Sequence, residues 1–232
     1  MKPLEENLAA VRERIDDATR AAGREPGDVA MMLAVKTQSA DTIRTALQAG
    51  YTLIGHNRVQ ELRATAEELV DIPHEVHMIG RLQSNKIAQA LRWVSCVQSV
   101  DSVRLADRLD RAAAARERTL EVFVQVNTSA EDTKGGTTPE DVLDLCRHIG
   151  TLEHLHLRGL MTIGANSTDE QVVRASYADL AGLRDAVVGS GAPGTDQATE
   201  LSMGMTRDLE IAVDAGATMV RVGTGVFGER SD

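Results

Sequence analysis

Aromatic side chains make up only 2% of this 232-residue chain: one Trp, two Tyr and two Phe. So few rings exclude the stacking platforms on which single-stranded nucleic acid is bound. A surplus of positive charge is also missing. With 35 acidic against 25 basic residues the formal charge is −10, the wrong sign for nucleic acid or an anionic membrane as partner. No apolar run approaches ~18 residues, so nothing reads as a membrane span. The opening "MKPLEENLAAVRERIDDATRAAG" is charged throughout and lacks the apolar centre of a signal peptide. Cysteine is limited to Cys96 and Cys146, in an expected strand and an expected helix. That usage suits a reducing cytoplasm better than a disulfide scaffold. The expectation is a soluble, acidic, cytoplasmic α/β protein.

What is present is a regular alternation. Leu4, Leu8, Val11, Ile15 and Ala22 fall on one helical stripe that Gly23 and Pro26 stop. Short apolar runs then recur at 30–36, 52–55, 75–80, 95–100, 121–126, 155–161, 199–203 and 218–223. Runs of this kind suit parallel strands covered on both faces. Between them stand helix-start signals: Ser39, Asn57 with Gln60, Asp101, Thr138 before Pro139, Thr168 with Gln171, and Thr206. Eight strands alternating with helices predict an α/β fold, a single (β/α)8 TIM-type barrel with an extra N-terminal helix. Residues 1–232 read as one domain, without linker or repeat. Only nine residues follow Gly223, so the N-terminal helix is expected to cover the place of the last barrel helix.

Barrel enzymes put their chemistry at the C-terminal ends of the strands. The first strand ends in Lys36, and the seventh and eighth end in Ser202-Met203-Gly204-Met205-Thr206 and Arg221-Val222-Gly223-Thr224-Gly225. Glycines and hydroxyls after strands seven and eight suit a phosphate, held by backbone N–H groups and by the helix expected after Thr206. An amine on one side of the mouth and a phosphate cradle on the other match pyridoxal 5'-phosphate, which carries an aldehyde and a phosphate.

Each element also has a plain structural reading. A lysine at a strand end is most often a solvated charge, and Met203 and Met205 fit as packing residues. "GTGVFG" at 223–228 matches a dinucleotide fingerprint, but no helix and no acidic residue ~20 positions on complete it. His74 with His77 and His154 with His156 have ligand-like spacing, yet no cysteine or carboxylate set completes a metal site. No G-x-S-x-G elbow supports a serine hydrolase.

Four stretches together carry a resemblance: "LAVK" at 33–36, "HMIGRLQSNK" at 77–86, "RGLMTI" at 158–163 and "LSMGMTRDLEIAVDAGATMVRVGTGVFGER" at 201–230. From about residue 5 to residue 230 the chain resembles the pyridoxal phosphate homeostasis proteins, relatives in fold of the N-terminal barrel of alanine racemase. The resemblance implies that Lys36 forms an internal aldimine with the cofactor. Ser202, Gly223 and Thr224 would hold the phosphate, with Met203, Gly204 and Met205 shaping the loop beside it. Arg221 would approach the pyridine nitrogen and Asn57 would stay near the cofactor. His56 and Arg58 stand where the family has an acid and a tyrosine, and the serine common before the lysine is absent.

The implied function is storage and delivery of pyridoxal phosphate, influencing amino-acid and keto-acid balance without turnover. An arginine beside the ring nitrogen disfavours its protonation and so restrains carbanion chemistry. The alternative is a pyridoxal-phosphate enzyme, such as a weak amino-acid racemase using Lys36 alone or with His77. Expected partners are the cofactor and pyridoxal-phosphate-dependent apoenzymes, and the expected state is a monomer. No metal site is expected.

Overall fold

The computed structural model describes residues 3–129, 131 and 134–228. Lys2, and Glu229 and Arg230 of the last quoted motif, lie outside the described residues. Eight parallel strands close in sequence order into a barrel. They are β1 (Ala30–Ala34), β2 (Leu53–His56), β3 (Glu75–Met78), β4 (Cys96–Val100), β5 (Leu120–Gln125), β6 (Leu155–Met161), β7 (Glu200–Met205) and β8 (Met219–Val222). The ring closes where Met32 pairs with Arg221 and Leu33 with Val222. All eight expected strands form. None of the helices described is long and apolar enough to cross a membrane.

The helices are α1 (Leu4–Ala21), α2 (Ala40–Gln48), α3 (Val59–Ala66), α4 (Ile87–Ala90), α5 (Val103–Ala114), α6 (Val142–Ile149), α7 (Glu170–Val188), α8 (Leu209–Asp214) and α9 (Thr224–Phe227). Helix α1 turns Leu8, Val11 and Ile15 inward, all but fully buried, each worth about 1.5–3 kcal/mol. It lies on α8 and α9, and Asn7 Nδ2 donates to Val226 O at 3.0 Å. The N-terminal helix thus fills the place left by the single turn of α9.

Helix starts follow side-chain chemistry, with small shifts from expectation. Ser39 caps α2 as expected, its hydroxyl accepting from Thr42 N–H. Ser102 rather than Asp101 caps α5, and Asp169 rather than Thr168 caps α7. Asn57 does not cap α3, which starts after Arg58. Thr138 and Pro139 form a turn ahead of α6, with Thr138 Oγ1 donating to Asp141 Oδ2 at 3.0 Å. Thr206 does not open α8, because residues 205–208 form a turn in which Asp208 N–H bonds Met205 O. The phosphate-facing helix terminus expected at Thr206 is therefore absent.

The core has two layers. Outside the barrel, Leu33, Val35, Ile54, Val97, Val122, Leu160, Leu201, Met203, Val220 and Val222 join the helix stripes. Inside, Met32, Cys96, Phe123, Met161 and Met219 fill the lumen. Cys96 and Cys146 are both free and buried. Burial raises the pKa of both thiols, that of Cys146 to about 12, so neither is a ready nucleophile.

Candidate functional site

Leu33 and Val35 belong to the outer layer while Met32 belongs to the lumen, as the period of two along a strand requires. Lys36 stands two residues beyond the end of β1, in the turn after Val35 at the C-terminal end of the barrel, and is half-buried. The next residue, Thr37, has φ 62°, an outlier for a β-branched residue. Its hydroxyl donates to Lys36 O at 2.6 Å. Among the described residues the Lys36 amine forms no ion pair.

Arg221 lies deeper at the same end of the barrel, 6% exposed. Its Nη1 donates to Ser202 Oγ at 2.8 Å and its Nη2 to Thr162 O at 2.7 Å. Among the described residues no carboxylate pairs with it. Burial lowers its pKa, against the pull of Tyr177 and Asp208, but a guanidinium stays charged in protein. A buried cation without a counter-ion is expensive. This one would be relieved by an anion or a lone pair arriving from the mouth.

The ends of β7 and β8 meet beside it. Gly223 precedes α9, and among the described residues the Gly223 and Thr224 N–H groups donate to no acceptor, whereas Gly225 N–H donates to Thr206 Oγ1 at 3.2 Å. Thr224 is exposed. Gly204 has φ 89°, and a Cβ there would lie 2.4 Å from Ala212 Cβ, so only glycine fits this turn. Met203 points outward into the helix layer, fully buried, while Met205 is 40% exposed. Asn57 sits at the end of β2, half-buried, against the loop after β3.

Ser202 differs from the rest. Its hydroxyl is fully buried in the lumen, taken by Arg221 and by Gln98 Oε1 at 2.7 Å. The structure therefore brings Lys36, Arg221, Gly223 and Thr224 to one mouth and sets Ser202 beneath them as a support for Arg221.

Two supporting side chains were not foreseen from sequence. Asp208 accepts Met205 N–H at 2.6 Å and Tyr177 OH at 2.9 Å, fastening the loop after β7 to α7. Burial, and then the Asp208 charge, raise the Tyr177 pKa. A carboxylate three residues after a strand-ending Met was the available signal for this turn. His56, by contrast, lies outside the site. Its ring is 1% exposed and its Nδ1 has no partner among the described residues. It lines a cavity of about 90 Å³ under α3 with Leu62, Leu69, His74 and Trp93.

The family model of the alanine racemase N-terminal domain matches residues 7–231 of this (β/α)8 barrel. More narrowly, the chain belongs to the pyridoxal phosphate homeostasis protein family. It is 40% identical to the pyridoxal phosphate homeostasis protein of Pseudomonas aeruginosa, across 99% of this chain and 97% of that one. A crystal structure of an unknown protein from Bifidobacterium adolescentis superposes with TM-score 0.93 at 42% identity, covering 97% of this chain and 94% of that one. PipY of Synechococcus elongatus, solved with PLP bound, gives TM-score 0.82 at 34% identity, covering 97% of this chain and all of PipY.

Proposed function

We propose that this protein binds pyridoxal 5'-phosphate covalently through Lys36 at the C-terminal mouth of the barrel, and holds and delivers it without turnover. The observation that carries the reading is Arg221, a buried guanidinium that pairs with no carboxylate among the described residues, at the same end of the barrel as a lysine amine that forms no ion pair among them. The donors present fit the cofactor: an unpaired amine for its aldehyde, two open N–H groups for its phosphate, and a fixed N–H donor for its ring nitrogen. When bound, the cofactor supplies an aldehyde carbon that takes a primary amine with loss of water, and a ring that withdraws electrons from that carbon.

Lys36 supplies the amine, and the Thr37 turn orients it. Gly223 and Thr224 N–H hold the phosphate, with Gly204 and Met205 shaping the adjoining turn. Met203 acts through its backbone, since its side chain is committed to the helix layer. Asn57 closes the β2 side of the mouth. Arg221 donates to the ring nitrogen and keeps it unprotonated.

Support for the absence of turnover comes from the other candidate bases. Racemisation needs a proton acceptor on each face of the substrate carbon. The chain has two tyrosines. Tyr51 precedes β2 at the opposite end of the barrel, and Tyr177 is bonded to Asp208 in the helix layer. His77 is buried and bonded at both ring nitrogens. In this reading the protein is a monomer that passes the cofactor to apoenzymes.

The test is titration with pyridoxal 5'-phosphate followed by visible absorbance, then incubation of the loaded protein with alanine in D2O. Saturable binding with no α-deuteration is expected. Sustained exchange that disappears in Lys36→Ala contradicts the carrier reading, and absence of a bound chromophore contradicts the cofactor.

A further inference from the structure

Arg221 is connected to a carboxylate at the far end of the barrel through three side chains. Glu75, whose side chain is 45% exposed at the start of β3, accepts from His77 Nε2 at 2.7 Å. His77 Nδ1 lies 2.8 Å from Gln98 Nε2. Gln98 Oε1 accepts from Ser202 Oγ at 2.7 Å, and Ser202 Oγ accepts from Arg221 Nη1 at 2.8 Å. The second hydrogen of the Gln98 amide faces Met219 Sδ at 3.1 Å. His77, Gln98 and Ser202 are all at least 99% buried, so no water competes for these groups.

Chemistry fixes the direction of every link. A guanidinium only donates, so Ser202 receives Arg221 and sends its single hydrogen to Gln98. With its oxygen taken by Ser202, Gln98 turns an amide hydrogen to His77 Nδ1, which must accept it, so His77 donates to the Glu75 carboxylate from Nε2. One orientation of the Gln98 amide satisfies both ends. Reversing it would set its oxygen against the bare His77 Nδ1 and leave the Ser202 hydrogen without an acceptor.

We propose that Glu75, His77 and Gln98 are positioning residues. They hold Ser202 as an acceptor and thereby fix the Arg221 guanidinium that serves the cofactor's ring nitrogen. This rests on the reading above that Arg221 faces that nitrogen. The arrangement balances Arg221 from a distance. A carboxylate directly beside it would hold it as firmly but would cancel the positive field it presents to the mouth.

The test uses the full chain, with Gln98→Leu, which removes both central links, and Glu75→Gln at the exposed end, where folding is tolerant. In ligand-free wild type, ¹⁵N NMR should find His77 neutral with its hydrogen on Nε2, and Gln98→Leu should mix the tautomers. In protein loaded with pyridoxal 5'-phosphate, Gln98→Leu should shift the visible band and weaken binding about tenfold. Glu75→Gln should move both in the same direction by less. The ³¹P resonance should stay in place, because the phosphate donors are untouched. Cys96→Ala, in the same lumen but off the chain, should lower the melting temperature and leave the band where it was. The proposal is overturned if wild-type His77 carries its hydrogen on Nδ1, or if Gln98→Leu matches the loaded wild type in band and affinity. A wild type that takes up no cofactor defeats the binding reading itself, a result distinct from a wild type that binds while Gln98→Leu behaves identically.

Discussion

The two ends of the barrel lumen treat charge in opposite ways. At the N-terminal end Arg158 is gripped by Glu121 on one side and Glu200 on the other, and Glu75 is bonded to His77. Burial works to lower the Arg158 pKa, yet the bonds to Glu200 and Glu121 carry it above its ordinary value. The His77 hydrogen bond holds Glu75 below the usual carboxylate range, against partial burial. At the C-terminal end neither Lys36 nor Arg221 forms an ion pair with a carboxylate among the described residues, in a chain whose formal charge is −10. Acids are plentiful, so the vacancy at one mouth is selective. Paired charges close and stabilise a structure, whereas a buried cation left unpaired raises its energy and marks a place prepared for a ligand.

The largest effect that would sharpen this contrast is at Lys36. Lys36→Ala should abolish covalent cofactor attachment while changing stability by no more than about 0.5 kcal/mol in a melting experiment, since among the described residues the side chain makes no ion pair or hydrogen bond to lose. A large loss of stability would place Lys36 with the structural charges instead.

His56 gives the next effect. Burial, and then neighbouring His74, lower its pKa to about 4 from an unfolded value near 6.5. The unfolded state therefore binds more protons between these values, and stability is complete above about pH 6.5 and lost as pH falls towards 4. The loss should reach about 3 kcal/mol. His56→Gln should flatten the melting temperature across that window. An unchanged slope in this variant would remove His56 from the account.

Breaking the paired end comes third. Arg158→Leu leaves Glu121 and Glu200 without their cation in a partly buried setting, and should cost about 2 kcal/mol. That corresponds to a fall of roughly 4–8 °C in melting temperature for a chain of this size. Cofactor affinity should not change, and a comparable loss of affinity would erase the division between the two ends. The smallest effect is expected for Tyr177→Phe, which removes one of the two bonds holding Asp208. It should weaken pyridoxal 5'-phosphate binding by about fivefold in an absorbance titration, by loosening residues 205–208. Equal affinity would show that Met205 N–H alone secures the turn.

Sequence carried the fold further than it carried the fine geometry. Each strand is a compact apolar run, so its place is written locally, and even the covering role of α1 follows from its stripe of Leu8, Val11 and Ile15. Helix starts shifted wherever two capping residues stand together. Asp101 with Ser102 and Thr168 with Asp169 are chemically equivalent candidates, and only the exit angle of the chain selects between them. At Thr206 the shift had a consequence. The carboxylate of Asp208 captures Met205 N–H, and the chain turns before the helix begins.

The mouth was readable because Lys36 and the Gly223–Thr224 pair each sit in one short stretch. The support beneath it was not. His77, Gln98, Ser202 and Arg221 come from four strands and meet only after the barrel closes, across register shifts between β4 and β5 and between β7 and β8. No spacing along the chain encodes that meeting. A buried Gln flanked by Cys96, Val97 and Val100 was the single available sign, since an amide in an apolar run must find partners.

The central claim is that the unpaired amine at the C-terminal mouth holds the cofactor. The most direct measurement is borohydride reduction of the protein loaded with pyridoxal 5'-phosphate, followed by proteolysis and mass spectrometry of every lysine-containing peptide. One pyridoxyl group per chain, located on Lys36, is the expected result. A label absent from Lys36, or spread over Lys86 and Lys134 at the same level, contradicts the account.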